Sequence, residues 1–107
     1  MNLNEYQRLA HRTALYPIDK GITYTVLGLV NESGEVAGKL KKWIRGDIPD
    51  GPSLPDILEA ELGDVLWYLA EICTLLNLDL QQIAYNNIEK LSDRANRDVI
   101  RGSGDNR

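Results

Sequence analysis

The chain is poor in the residues that soft metals and redox chemistry need. Its 107 residues include one cysteine, Cys73, and one histidine, His11. A lone cysteine cannot close an internal disulfide, and Cys73 falls on the apolar side of a helical pattern, as a small core residue does. Without a His/Cys cluster zinc has no ligand set. Without a Glu-x-x-His pair a di-iron carboxylate bundle is excluded too. No apolar run is long enough to cross a bilayer, and Met1-Asn-Leu-Asn-Glu5 lacks the basic-then-apolar pattern of a secretory signal. Positive charge is also short: 12 Lys and Arg stand against 16 Asp and Glu, a net charge of −4. A protein that grips a nucleic-acid backbone needs the opposite balance. Strand-like alternation, internal repeats and low-complexity blocks are missing. The expectation is a cytoplasmic protein with neither a membrane nor a nucleic acid as partner.

What is present is 43% hydrophobic and 26% charged residues, the usual mixture for a globular domain. Four helical segments emerge from the 3.6-residue periodicity. The first spans Leu3–Leu15, with Asn2 and Glu5 as a loose capping pair, and Tyr16 to Gly21 breaks it. The second spans Thr23–Arg45 and stops at Gly46. Gly34 and Gly38 inside it are either tolerated or mark a close approach. Gly46 to Ser53 is a loop. Ser53 and Asp56 resemble a capping box, with Pro55 in the first turn, for a third helix over Leu54–Leu76. Asp79 then caps a fourth helix over Leu80–Arg97. This predicts an all-α four-helix bundle, with one domain over residues 1–101 and a flexible tail over 102–107. A domain this small buries a limited share of its surface, so a core shared between copies, as a homodimer or homotetramer, is expected.

Two acidic motifs carry the chemistry. Glu32-Ser-Gly-Glu35 lies on the second helix and Glu61-Leu-Gly-Asp64 on the third. Residues three apart share a side of a helix, so each motif offers two oxygen ligands. The apolar stripes are Val26, Leu29, Val30, Val36, Ala37, Leu40 and Ile44 on the second helix, and Leu58, Leu62, Val65, Leu69, Ile72 and Leu76 on the third. The acids border these stripes, with Glu61 roughly 60° from the stripe centre. A solvated acidic face would stand opposite. Glu35 also stands four residues before Lys39, the spacing of an ordinary surface ion pair. Packed side by side, the two helices would gather four carboxylates, more negative charge than a dry interface tolerates unpaired. A hard divalent cation resolves that conflict, and Mg²⁺ is the usual partner of oxygen clusters, with Mn²⁺ as a substitute.

The fourth helix has an apolar stripe of Leu80, Ile83, Ala84, Ile88, Leu91 and Ala95. Asn87, Lys90 and Arg94 fall together on one edge of it. An amide and two cations there suit phosphate oxygens, Lys as a point charge and Arg as a planar fork; a solvated flank with snorkelling stems is the plainer reading.

Glu32-x-x-Glu35, a spacer of 25 residues, and Glu61-x-x-Asp64 resemble the motif of the all-α nucleotide pyrophosphohydrolases, the MazG-like group. Asn87-Ile-Glu-Lys90 is similar to the family's Asn-x-x-Lys segment, and Tyr6-Gln7 with Thr13 to its first helix. The resemblance implies Mg²⁺-dependent hydrolysis of a nucleoside triphosphate to the monophosphate and pyrophosphate. By that resemblance Glu32, Glu35, Glu61 and Asp64 hold metal, Asn87 and Lys90 contact metal-bound water or phosphate, and Arg94 contacts phosphate. Glu32, Glu35, Glu61, Asp64 and Lys90 are then the catalytic set. Trp43, on the same helix edge as Glu32, and Tyr68, between Glu61 and Asp64 on the wheel, are candidates to stack on the base. His11 is expected on the surface of the first helix, without a role. Two other readings stand beside this one: a dUTP or phosphoribosyl-ATP pyrophosphohydrolase, and a non-enzymatic helical interaction module whose acids pair with Lys39, Lys41 and Lys42.

Overall fold

The computed structural model describes residues 1–48 and 52–107. They form four α-helices: α1 (Leu3–His11), α2 (Gly21–Arg45), α3 (Leu54–Leu75) and α4 (Leu80–Asn96), with a 3-10 turn over Ile18–Lys20 before α2. No strand occurs among the described residues, and no helix is long and apolar enough to cross a membrane. Part of the loop expected over Gly46 to Ser53 lies outside the described residues.

The caps explain most of the boundaries. The Asn2 side chain accepts from the Glu5 backbone N–H at 2.8 Å. Asp79 accepts from the N–H groups of Gln81 and Gln82. Asp56 accepts from both the backbone N–H and the hydroxyl of Ser53. Gly46 ends α2 in the left-handed region, φ 82°, where a side chain would be strained. Two ends differ from expectation. α1 stops at His11, because Thr13 turns its hydroxyl back onto the carbonyl of Ala10 (2.7 Å) and accepts the indole N–H of Trp67 (2.8 Å). α2 begins two residues early, at Gly21, because Thr25 is fully buried and donates its hydroxyl to the Gly21 carbonyl at 2.8 Å.

α2 and α3 run antiparallel and in close contact. Gly21 faces Leu75, and Gly28 faces the ring of Tyr68. A Cβ on Gly28 would stand 2.1 Å from Tyr68 Cε1, whereas Gly34 and Gly38 face open space. The close approach therefore falls at Gly28 and Gly21. α1 lies along α3 on its other side, and Gln7 binds it there: its amide donates to the Thr74 hydroxyl and the Leu78 carbonyl and accepts from the Leu80 N–H. Ala10, Ala70, Cys73 and Leu80 form the core, with Leu3, Tyr6, Leu66 and Trp67 packed on it. Among the described residues α4 touches α1 and α3 and does not reach α2. The four helices do not close into a bundle within one chain.

Glu71 on α3 is fully buried. It accepts the Tyr16 hydroxyl at 2.8 Å and lies 3.2 Å from His11 Nδ1, so both the buried carboxylate and the imidazole are partnered. Tyr16, Tyr24, Trp67 and Tyr68 form a chain of ring contacts from this pair along the α2–α3 seam.

Gly28→Ala is expected to lower stability by about 1–3 kcal/mol through overpacking against Tyr68, read as a lower urea midpoint; an unchanged midpoint would mean that the ring turns aside freely. A second expectation concerns alkaline pH. The Tyr16 hydroxyl is pushed up to about 12, by burial first and then by its bond to Glu71. The folded state thus holds this proton more tightly than the unfolded chain. The resulting stabilisation is complete below pH 10 and is lost as pH rises towards 12. Thermal melts across that window should fall more steeply for the native protein than for Tyr16→Phe, whose melting temperature starts lower because Glu71 has lost a donor.

Candidate metal centre

The antiparallel register of α2 and α3 brings the two acidic motifs to one level. Glu32, Glu61 and Asp64 each offer a carboxylate oxygen, and the three oxygens lie within 4.8 Å of one another. Glu32 and Glu61 are half-buried and Asp64 is exposed. Glu35 is exposed and falls outside this trio, although its charge still acts on Glu32. On α3 both motif residues reach the trio, whereas on α2 only Glu32 does, and Glu35, one turn further along, is turned to solvent.

The trio lowers its own repulsion in two ways. Glu32 is held above the ordinary carboxylate value, by desolvation first, then by a hydrogen bond with Glu61 and the charges of Asp64, Glu61 and Glu35. Glu61 moves the other way, chiefly because Lys39 donates to it. The Lys39 ammonium lies 2.7 Å from Glu61 Oε1, across the helix interface. The i,i+4 spacing pointed Lys39 at Glu35; the structure pairs it with Glu61.

Tyr68 walls the trio on the side of Gly28. Its hydroxyl is raised above the ordinary tyrosine value, by burial first, then by a hydrogen bond with Tyr24 and the negative charges of Glu32 and Asp64. Tyr6 of α1 is also raised, by burial and then by Asp64. Phenols from α1 and α3 therefore feel the charge of the acids, with Tyr24 of α2 behind Tyr68. Tyr6 and Tyr24 had no assigned role in the sequence. Trp43 is 44% exposed near the end of α2, one turn beyond Lys39.

The α4 residues are placed elsewhere. Asn87 and Lys90 are exposed and, with Ile83 and Asn86, line an open cleft of about 270 Å³. Arg94 is buried and donates to the Asp105 carbonyl at 2.6 Å, so it anchors the C-terminal segment. Because α4 does not reach α2, this basic edge is not brought against Glu32 within one chain.

The donor set fits a hard cation. It consists of carboxylate oxygens only, from two helices, with one ammonium already neutralising part of the charge. The site holds neither imidazole nor thiolate, so a softer metal has no preferred ligand there.

The family model described as "MazG nucleotide pyrophosphohydrolase domain" matches residues 21–98, which contain α2, α3 and α4. The "Gene 37 protein" of Mycobacterium phage L5 is 42% identical, with all of both chains covered. No solved structure matches.

Proposed function

Because the chain belongs to the MazG nucleotide pyrophosphohydrolase domain family, we propose that it is a Mg²⁺-dependent nucleoside triphosphate pyrophosphohydrolase that serves nucleotide-pool house-cleaning. The observation that carries this reading is the convergence of Glu32, Glu61 and Asp64 within 4.8 Å across two helices. These three carboxylates, with Glu35 beside them, would hold Mg²⁺ or Mn²⁺. The cation would supply charge neutralisation of the triphosphate and a lower pKa for water.

The remaining steps belong to the chain's own side chains. A carboxylate of the acidic group accepts a proton from the attacking water. The water oxygen bonds to the α phosphorus as the bond to the α–β bridging oxygen breaks, and the β and γ phosphates leave together as pyrophosphate. Phosphoryl transfer needs mostly positioning and charge stabilisation. Lys90 and Asn87 are assigned to the outer phosphates, reached from a second copy of the chain, since α4 does not meet α2 within one chain. Tyr68 and Trp43 are assigned to the base, Tyr68 on the support of its place beside the trio.

Hydrolysis in ¹⁸O-labelled water tests the reading. The label is expected on the monophosphate, with pyrophosphate unlabelled. A labelled orthophosphate with a nucleoside diphosphate would overturn it. Glu61→Gln removes one ligand charge at nearly constant volume and should abolish Mg²⁺ binding and turnover together. Retention of both would show that the trio is not the site.

We further propose that the chain works as a homodimer or homotetramer, with residues 1–101 as its domain. The single chain exposes 7830 Å², against about 6000 Å² for a folded monomer of its mass. Its radius of gyration is 17.0 Å, against about 13 Å for a compact domain of this length. Much of the excess is apolar: Val30 is 65% exposed, Ile44 72%, Leu62 54% and Ile88 60%. These belong to the stripes that the sequence marks as core. Covering them with a second copy removes an area typical of a stable interface, about 800 Å² per partner or more. Light scattering at micromolar concentration should give a multiple of 12.0 kDa; a monomer would contradict it.

A further inference from the structure

Lys39 is the one cation that the structure places on the acidic trio among the described residues. It stands on α2, yet it crosses to Glu61 on α3 at 2.7 Å, although Glu35 is available one turn back on its own helix. Glu61 is thereby already satisfied by a positive charge. An ammonium and a divalent cation on the same carboxylate repel each other, even when each takes a different oxygen, and Lys39 already holds Oε1. A metal entering at Glu61 therefore competes with the ammonium and favours its departure.

The lysine cannot go far. Its stem is a flexible four-carbon chain fixed to α2, so the displaced ammonium stays within a few ångströms of the site. A triphosphate delivered with the metal brings new negative charge to that place, whereas the metal alone brings none. We propose that Lys39 is a tethered counter-ion: it holds Glu61 in the metal-free protein and transfers to the substrate's phosphates when the metal and the triphosphate enter together. This rests on the reading of the trio as a metal centre. Its consequence is a linkage between metal and substrate. Free Mg²⁺ has to displace Lys39 without recompense, so it binds weakly. Mg²⁺ with a triphosphate offers the ammonium a new partner, so each ligand strengthens the other.

The test is calorimetric titration of the whole protein with two probes: Mg²⁺ alone, and a nucleoside triphosphate with a methylene bridge between the α and β phosphorus in the presence of Mg²⁺. In Lys39→Met, Mg²⁺ alone should bind about fivefold more tightly, and the triphosphate analogue should bind more weakly. Lys39→Gln should repeat both shifts, and Lys39→Arg, which keeps the charge, should stay near the native values. Lys41→Met removes the same net charge from the far side of the helix and should alter neither affinity by more than about twofold, because an exposed charge at that distance is screened. Mg²⁺ binding that is unchanged or weaker in both Lys39→Met and Lys39→Gln overturns the proposal. So does an equal gain in Lys41→Met, which would reduce the effect to net charge. If neither the native protein nor the Lys39 variants bind Mg²⁺, with or without the triphosphate analogue, the metal centre itself is wrong, and that result differs from native-like binding in the variants.

Discussion

Three carboxylates held within 4.8 Å between two packed helices would drive those helices apart if nothing opposed their repulsion. The molecule opposes it on both sides of the seam. Toward the N-terminus of α2, Gly28 lets the Tyr68 ring lie against the backbone, and Gly21 lets Leu75 come close. Toward its C-terminus, Lys39 reaches across to Glu61. The acids are thus fixed by apolar packing on one flank and by an ion pair on the other. The repulsion left in this cluster is what the proposed cation would relieve.

The aromatic chain connects this centre to a fully buried carboxyl group. Tyr68, Trp67, Tyr24 and Tyr16 pass ring contacts along the seam and end at Glu71, which is fully buried but bonded by Tyr16 and His11. A buried carboxylate with two side-chain partners fixes the register of the elements that carry them. α1 and the segment before α2 are therefore positioned against α3 by polar bonds as much as by core packing, and Tyr6 is carried to the edge of the acidic trio as a result.

The apolar stripes behave differently from the polar seam. Among the described residues only Ala10, Ile57, Ala70, Cys73 and Leu80 are buried hydrophobics, a thin core for a chain of 107 residues. The residues that periodicity marks as core on α2 and α4 stand largely in solvent in a single chain. Hydrophobic periodicity reports which face is covered and is silent about what covers it. In this protein the missing cover and the detached α4 edge are what the proposed second copy of the chain would account for.

By itself the sequence determined the helices and the chemical character of the centre. Periodicity and local caps act within a few residues, so Asn2, Ser53, Asp56 and Asp79 marked their helix starts correctly, and Gly46 its stop. The i,i+3 spacing likewise put two carboxylates on each of two helices, with neither histidine nor cysteine beside them. Only the tertiary structure decided which side chains meet. Gly28 rather than Gly34 or Gly38 is the point of close approach; Glu61 rather than Glu35 receives Lys39; Glu35 falls outside the trio; Arg94 is bound to the chain's own tail. Each of these depends on the register and rotation of one helix against another. Those two quantities are set by packing between residues distant in the chain, and no local pattern in the sequence encodes them.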